Sequence, residues 1–399
     1  MLALIAALAP GAVAPALAGT TAGVAPTVVL ISLDGTRPDT VREAELPSFA
    51  EVARRGATAT QLVPVFPTNT FPNHVTLITG VAPEVHGIVG NVFVDPVRGE
   101  FRYSGDPSWI EVEPIWSIVG RHSLVSAAFH WVGSEGAWRS GRGPRYWKRF
   151  DAGTPEREKV DQILAWLDIP EARDRPRLVT SWFHGGDRAG HTHGPASEAV
   201  RRALREQNRA LDELIRGLDD RGALDRTTLI LASDHGMAPV ERRVDLQAAL
   251  RRQNVGARVL GAGGFAILAP GSGPAAVAVA RGLGLEAWAL EEAPPALRLG
   301  NRRFGSAVVL APPGTAIQPS GLLRPAMRGA HGYRPEARGM GALFLALGRG
   351  ARPGSALGEV RAVDVAPTVL ALLGIPAPDW MEGKPIPGLA PAGNGEGAP

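Results

Sequence analysis

Seven side chains spread over almost the whole chain carry chemistry at comparable positions: Asp34, Thr70, Asp187, His191, Asp234, His235 and His331. Each stands where an apolar run enters a loop rich in Gly, Pro or Asn. Three carboxylates, three imidazoles and one hydroxyl can hold two divalent cations around a nucleophile. Two close cations can clamp the attacking and leaving oxygens of a phosphoryl transfer.

Each residue also has a plainer account. Asp34, in LISLDGTRPD, ends a strand and is followed by Gly35, which permits a sharp turn. Such a carboxylate sits where open α/β sheets bind ligands; alone, an Asx turn or helix cap explains it more simply. Arg37 and Asp39 read as stabilisers of that loop. Thr70, in VFPTNTFPNHVTLITG, lies at or beside the start of a helix over 71–79, with Pro72 in its first turn. Its hydroxyl reads either as a cap or, if activated, as a nucleophile. Thr68 and Thr76 compete less well for that role.

Asp187 and His191, four apart in DRAGHTHGP, reach one cation from a helical turn or a compact loop, with His193 outside the ligand set. Asp234 and His235, in LILASDHGM, diverge after a buried strand. They suit a metal and a structural hydrogen-bond network equally well. His331, in RGAHGYRP, has a glycine behind it that allows close backbone approach to a ligand. His74, His86, His122, His130 and His184 read as core or capping residues.

The elements that must position these groups are short apolar strands alternating with helical patterns, which argues for an α/β domain with a mainly parallel, buried sheet. Strands are expected at Thr27–Leu33, 124–129, Leu178–Phe183, 228–232 and 343–347, and helices at 116–120, 197–218 and 363–373. Insertions fall near 91–110, a hairpin followed by a Trp-rich loop, and near 240–325, a small lid-like subdomain with short strands at 264–268 and 307–310. A Pro/Gly tail over 386–399 is expected to be disordered.

Composition narrows the field. The 399 residues are 45% hydrophobic and 20% charged, ordinary for a soluble enzyme. A formal charge of +3 with interspersed signs implies no nucleic-acid surface. Zero cysteines excludes disulfides, cysteine catalysis and thiolate ligands. The uncharged apolar start, 1–18, ends in the small-x-small pattern of a secretory cleavage site. It implies a periplasmic or secreted protein. No other apolar run reaches membrane-spanning length.

Read in order, DGTRPD, PTNTFPNHVTLITG, HGIVGN, WVGSE, DRAGHTHGP, SDHGM and HGYRP resemble the nucleotide pyrophosphatase/phosphodiesterase family of the alkaline phosphatase superfamily. The resemblance covers most of the chain. It implies a single catalytic domain over 27–385 with an alkaline-phosphatase-like three-layer α/β fold and small cap elements.

It also implies two zinc ions, or other divalent cations. Asp34, Asp234 and His235 would hold one, which also contacts Thr70; Asp187, His191 and His331 would hold the other. Thr70 would attack a phosphodiester or phosphoanhydride of a small-molecule or nucleotide substrate, forming a phospho-threonine that water then hydrolyses. Asn91 would donate to a phosphoryl oxygen, and Phe71 and Phe150 would stack on a nucleobase, although Phe150 suits core packing almost as well. Trp131, Trp138 and Trp147 are expected on the pocket wall or in the insertion core.

Two departures stand out. Gly185-Gly186 replaces the usual Glu-Pro and is expected to loosen that loop, and WVGSE has Val132 where Pro is usual. A phosphonoacetate hydrolase or phosphomonoesterase on the same fold is the alternative reading, and a catalytically silent metal-binding protein the second. Oligomeric state is not encoded legibly.

Overall fold

The central strand Thr27–Leu33 (TVVLISL) is buried at every position, as a β-branched run covered on both faces should be. It pairs in parallel with Leu178–Phe183 on one side and Thr227–Ala232 on the other. The computed structural model describes residues 25–269, 273–319 and 325–389. Its main sheet has eight strands. Beyond Leu178–Phe183 come Ser126–Phe129 and the edge strand Tyr146–Lys148, both parallel. Beyond Thr227–Ala232 lies Phe344–Gly348, the one antiparallel member, then Ala57–Val63 and Ser355–Arg361.

Alternation along the central strand divides the core. Val28 and Leu30 face a cluster completed by helices Thr70–Thr79, Ile115–Arg121 and Val365–Leu372. Val29, Ile31 and Leu33 face another, built with helices Pro47–Arg55, Glu156–Leu167 and Glu198–Asp220. The last is the long amphipathic helix, with Ser197 capping the Val200 N–H through its side chain. The result is the expected three-layer, alkaline-phosphatase-like α/β arrangement.

A second sheet, antiparallel and four-stranded, runs in the order Val259–Ala262, Phe265–Leu268, Ala307–Leu310, Glu286–Ala289. It has its own apolar core with helices Leu246–Arg252 and Gly273–Gly282. A hairpin, Val92–Asp95 with Gly99–Arg102, sits near it.

Arg303 ties hairpin and second sheet together from a fully buried position. It donates through Nε to Asp95 Oδ2 at 2.7 Å and through Nη1 to the carbonyls of Gly87 and Trp109. Burial opposes ionisation of Asp95, but the Arg303 hydrogen bond outweighs it and holds the carboxyl below the usual range. Removing one partner of such a pair strands the other charge. Arg303→Ala is expected to cost about 3–5 kcal/mol in denaturant unfolding; a loss under about 1 kcal/mol would mean that water solvates Asp95 once the arginine is gone.

The chain stays packed beyond 385. Ile386 and Leu389 are buried, and Leu389 bridges to Ala351. The disordered tail expected from 386 therefore does not begin there, because these side chains have a core to fill. Residues 390–399 and the expected leader, 1–18, lie outside the described residues. Among those described, no helix is long and apolar enough to cross a membrane.

Candidate active site

Parallel pairing in register brings distant residues to one edge. Ser32 lies opposite both Trp182 and Ala232, so Asp34, the 185–193 segment and Asp234-His235 leave the sheet side by side. That edge is the carboxyl end of the strands, where open α/β sheets bind ligands. Gly35 has φ +67°, and a Cβ there would meet Asp187 Cα at 3.2 Å. Asp187 and His191 occupy one turn of helix Gly185–His193. His331 arrives from the second sheet's side, after the pairing of Gly329–Ala330 with Ala238–Pro239.

Six of the predicted residues gather into two triads: Asp34, Asp234 and His235, all buried, and Asp187, His191 and His331. In the first, His235 Nε2 lies 3.1 Å from Asp234 Oδ2 and 3.5 Å from Asp34 Oδ1. In the second, His191 Nε2 lies 3.3 Å from Asp187 Oδ1 and 3.1 Å from His331 Nε2. The rings of His235 and His331 stack at 3.7 Å, so the triads adjoin. Thr70 is the first residue of its helix, with Asn69 at the cap position. Its Oγ1 is 3.2 Å from His235 Nε2.

The donor chemistry suits cations. Each histidine places Nδ1 against a backbone carbonyl, His191 at Gly329, His235 at Gly236 and His331 at Thr68, all within 2.9 Å. A carbonyl only accepts, so Nδ1 carries the hydrogen and the Nε2 lone pair faces the triads. Asp34 Oδ1, Asp187 Oδ1 and Asp234 Oδ2 are buried with no partner beyond the facing imidazoles, a costly arrangement for oxygens awaiting nothing.

Titration points the same way. Burial, then the charges of Asp234 and Asp187, raise the Asp34 carboxyl well above its ordinary range. Burial and the neighbouring His235 push His331 down to about 3. Burial opposes protonation of His191, but Asp187 overrides it and lifts the imidazole to about 9. A divalent cation at each triad would relieve the carboxylate repulsion and displace that proton. Two such cations would outweigh the three carboxylates by one net positive charge.

A cavity of about 400 Å³ opens over this edge, lined by Thr70, Asn91 and an aromatic wall of Phe71, Tyr103, Trp131, Phe150 and Trp182. Phe150 stacks on Trp182 with centroids 4.8 Å apart, and Phe71 meets Tyr103 edge-on at 5.4 Å. Asn91 Oδ1 accepts the Phe71 N–H at 2.9 Å, and its amide also hydrogen-bonds Tyr103, which leaves a hydrogen for another acceptor.

Several placements differ from expectation. Trp131 lines the cavity and Trp138 packs in the insertion core as expected, its Nε1 donating to the Ile110 carbonyl, but Trp147 is exposed on the edge strand. Gly332 serves backbone packing rather than ligand approach, since a Cβ there would meet Asn69 Oδ1 at 2.7 Å. Gly185-Gly186 does not loosen a loop. It opens helix Gly185–His193, with the Gly185 N–H bonded to Glu156 and Gly186 packed on the Asp34 carbonyl.

His74, His130 and His184 belong to the site region despite their plain settings in sequence. His74 Nδ1 lies 2.9 Å from the Thr70 carbonyl and 3.2 Å from Asp234 Oδ2, and the other two line the cavity. Trp182 Nε1 donates to Asp34 Oδ2 at 2.9 Å. The four-residue spacing from Thr70 to His74 was the available signal for one of these. His193 is exposed, and Arg37 pairs with Asp39 and donates to the Met237 carbonyl.

Fold and donors together define an α/β protein of the alkaline-phosphatase-like class, with a hydroxyl beside two adjoining candidate cation clusters. The chain belongs to the type I phosphodiesterase / nucleotide pyrophosphatase family, whose profile matches residues 28–334. It is 40% identical over 220 residues to a pyrophosphatase/phosphodiesterase of Schizosaccharomyces pombe described as uncharacterised, covering 53% of this chain and 45% of that one. This chain therefore spans under half the length of that relative.

Murine ectonucleotide pyrophosphatase/phosphodiesterase 5 superposes with a TM-score of 0.81 at 26% identity, over 88% of this chain and 96% of that one. A second structure of the murine protein, an inactive Thr-to-Ala variant in complex with AMP, superposes at 0.80 with the same identity and coverage.

Proposed function

We propose that this chain is a metal-dependent hydrolase of phosphodiester or phosphoanhydride bonds in small nucleotide-type substrates, with Thr70 as nucleophile and zinc at both triads. The observation that carries the reading is the Thr70 hydroxyl 3.2 Å from His235 Nε2, beside two triads with unpaired oxygens and imidazole lone pairs facing inward. Bound zinc would supply Lewis-acid activation and neutralise phosphoryl charge.

The chain's own groups divide the remaining work. Thr70 Oγ1 bonds to phosphorus, and water later releases the phosphoryl group from threonine. The Asn91 amide donates to a phosphoryl oxygen as charge develops there. Phe71 and Phe150 hold a base face, a contact worth about 1–3 kcal/mol per stacked base. The AMP complex of the murine relative supports a nucleotide in this cavity. Export to the periplasm or exterior, from the apolar start, completes the proposal.

A monoesterase would gather cations around the extra phosphate charge. The two arginines lining the cavities at this edge, Arg102 and Arg188, are both exposed, which favours diesters. Purified protein is expected to carry about two equivalents of zinc. It should turn over bis-4-nitrophenyl phosphate faster than 4-nitrophenyl phosphate or phosphonoacetate. Monoester turnover far above diester turnover would sink the diesterase assignment. Absence of metal, with no activity on adding zinc, would favour a silent protein.

A further inference from the structure

A second cavity, about 480 Å³, is lined by His191 and His331, which also line the aromatic cavity. It shares Asn91 and Tyr103 with the aromatic cavity, but its walls differ in kind. In place of stacked rings it presents the 259–263 stretch of the second sheet, together with Arg102 of the hairpin. Tyr103 lines both spaces with φ +44°, a left-handed backbone that a non-glycine residue holds only under constraint.

Thr70 lines the aromatic cavity and not the second one. In an in-line displacement the leaving group departs opposite the nucleophile. A substrate with its nucleoside in the aromatic cavity therefore points its other half toward the second.

Charge at the rim of that cavity is uneven. Arg102 Nε and Nη2 both donate to Glu100 Oε1, at 2.9 and 2.5 Å. Arg258, next to the lining residue Val259, donates to Glu100 Oε2 at 2.5 Å. Two guanidiniums share one carboxylate, which leaves one net positive charge and spare donors.

We propose that the second cavity is the leaving-group site, and that the Arg102–Glu100–Arg258 rim selects leaving groups bearing phosphate over neutral or cationic ones. The proposal rests on the hydrolase reading above. In the step itself the bond from Thr70 Oγ1 to phosphorus forms as the bond from phosphorus to the leaving oxygen breaks. The electron pair departs on that oxygen, the hydroxyl proton passes to solvent, and water restores Thr70.

The test holds the nucleotide constant and changes only the leaving group. The zinc-loaded protein is assayed on ATP, which releases pyrophosphate, and on the 4-nitrophenyl ester of AMP, whose leaving group has no phosphate. The readout is the ratio of the two kcat/KM values. Exposed ion pairs are worth up to about fivefold per charge. Glu100→Gln is then expected to raise the ratio and Arg258→Gln to lower it. Arg102→Glu, which changes two charges, should lower it by about tenfold, and raised salt should compress the spread.

A ratio that stays flat across this charge series, or both substrates falling in step, would overturn the leaving-group assignment while wild-type turnover stands. Wild-type protein that hydrolyses neither nucleotide would overturn the hydrolase reading, and this one with it.

Discussion

Thr70→Ala is expected to lower turnover of bis-4-nitrophenyl phosphate by at least about a thousandfold while leaving zinc content at the wild-type level. Removing a nucleophile forfeits the covalent route, and what remains is the stabilisation from charge and positioning. The substitution leaves the six carboxylate and imidazole donors of the two triads untouched, so both triads survive it. The fold should survive it too. Thr70 opens its helix without capping it, and its hydroxyl pairs with His235 Nε2. Thr70→Ser keeps the oxygen and should retain measurable activity. Loss of zinc in the alanine variant would make Thr70 a ligand first. Unchanged turnover would place the nucleophile elsewhere, Thr68 being unavailable because its hydroxyl donates to the Tyr333 carbonyl.

Much of this site was legible because parallel strands impose a simple rule. A chemically active residue just past an apolar run must emerge at the same edge as its counterparts. Asp34, Asp234 and His235 obey that rule directly, and Asp187 and His191 need only one helical turn more. The supporting groups follow no such rule. Trp182 belongs to a strand that reads as pure core, yet its indole nitrogen meets Asp34 because a strand 148 positions further along the chain pairs in register. His130 and His184 likewise become cavity residues only when the edge of the sheet and the 150–156 segment close over them.

The misread glycines teach a related lesson. Gly185-Gly186 looked permissive by composition, but the N–H it exposes is taken by Glu156, a residue no local pattern connects to it. The second sheet was visible in part: its two central strands, Phe265–Leu268 and Ala307–Leu310, are apolar and legible, whereas Val259–Ala262 and Glu286–Ala289 are four-residue strands with exposed positions, too short for periodicity to distinguish from loops.

Asp34→Asn is expected to abolish activity and, in metal-free protein, to raise the unfolding temperature. The two effects share one cause. Asp34 is buried against Asp234 and Asp187, and its carboxyl is raised well above the ordinary range by burial and by their charges. A group whose folded pKa is raised stabilises fully below its unfolded pKa, and that contribution is lost as pH rises through the folded value. Metal-free wild type therefore carries an ionisation penalty toward neutral pH that the neutral amide does not.

The advantage of Asp34→Asn over metal-free wild type should be small in acid and grow as pH rises. Asparagine can keep the Trp182 hydrogen bond through its carbonyl oxygen, and its amide then faces the carboxylates where Asp34 Oδ1 stood without a donor. Adding zinc should reverse the order of stability, since binding to the native state stabilises by mass action and only the wild-type triad keeps three anionic or imidazole donors. Equal unfolding temperatures for the two metal-free proteins across that pH range would mean that the three carboxylates are not in strain. Carboxylate repulsion would then not be what prepares this edge of the sheet for cations.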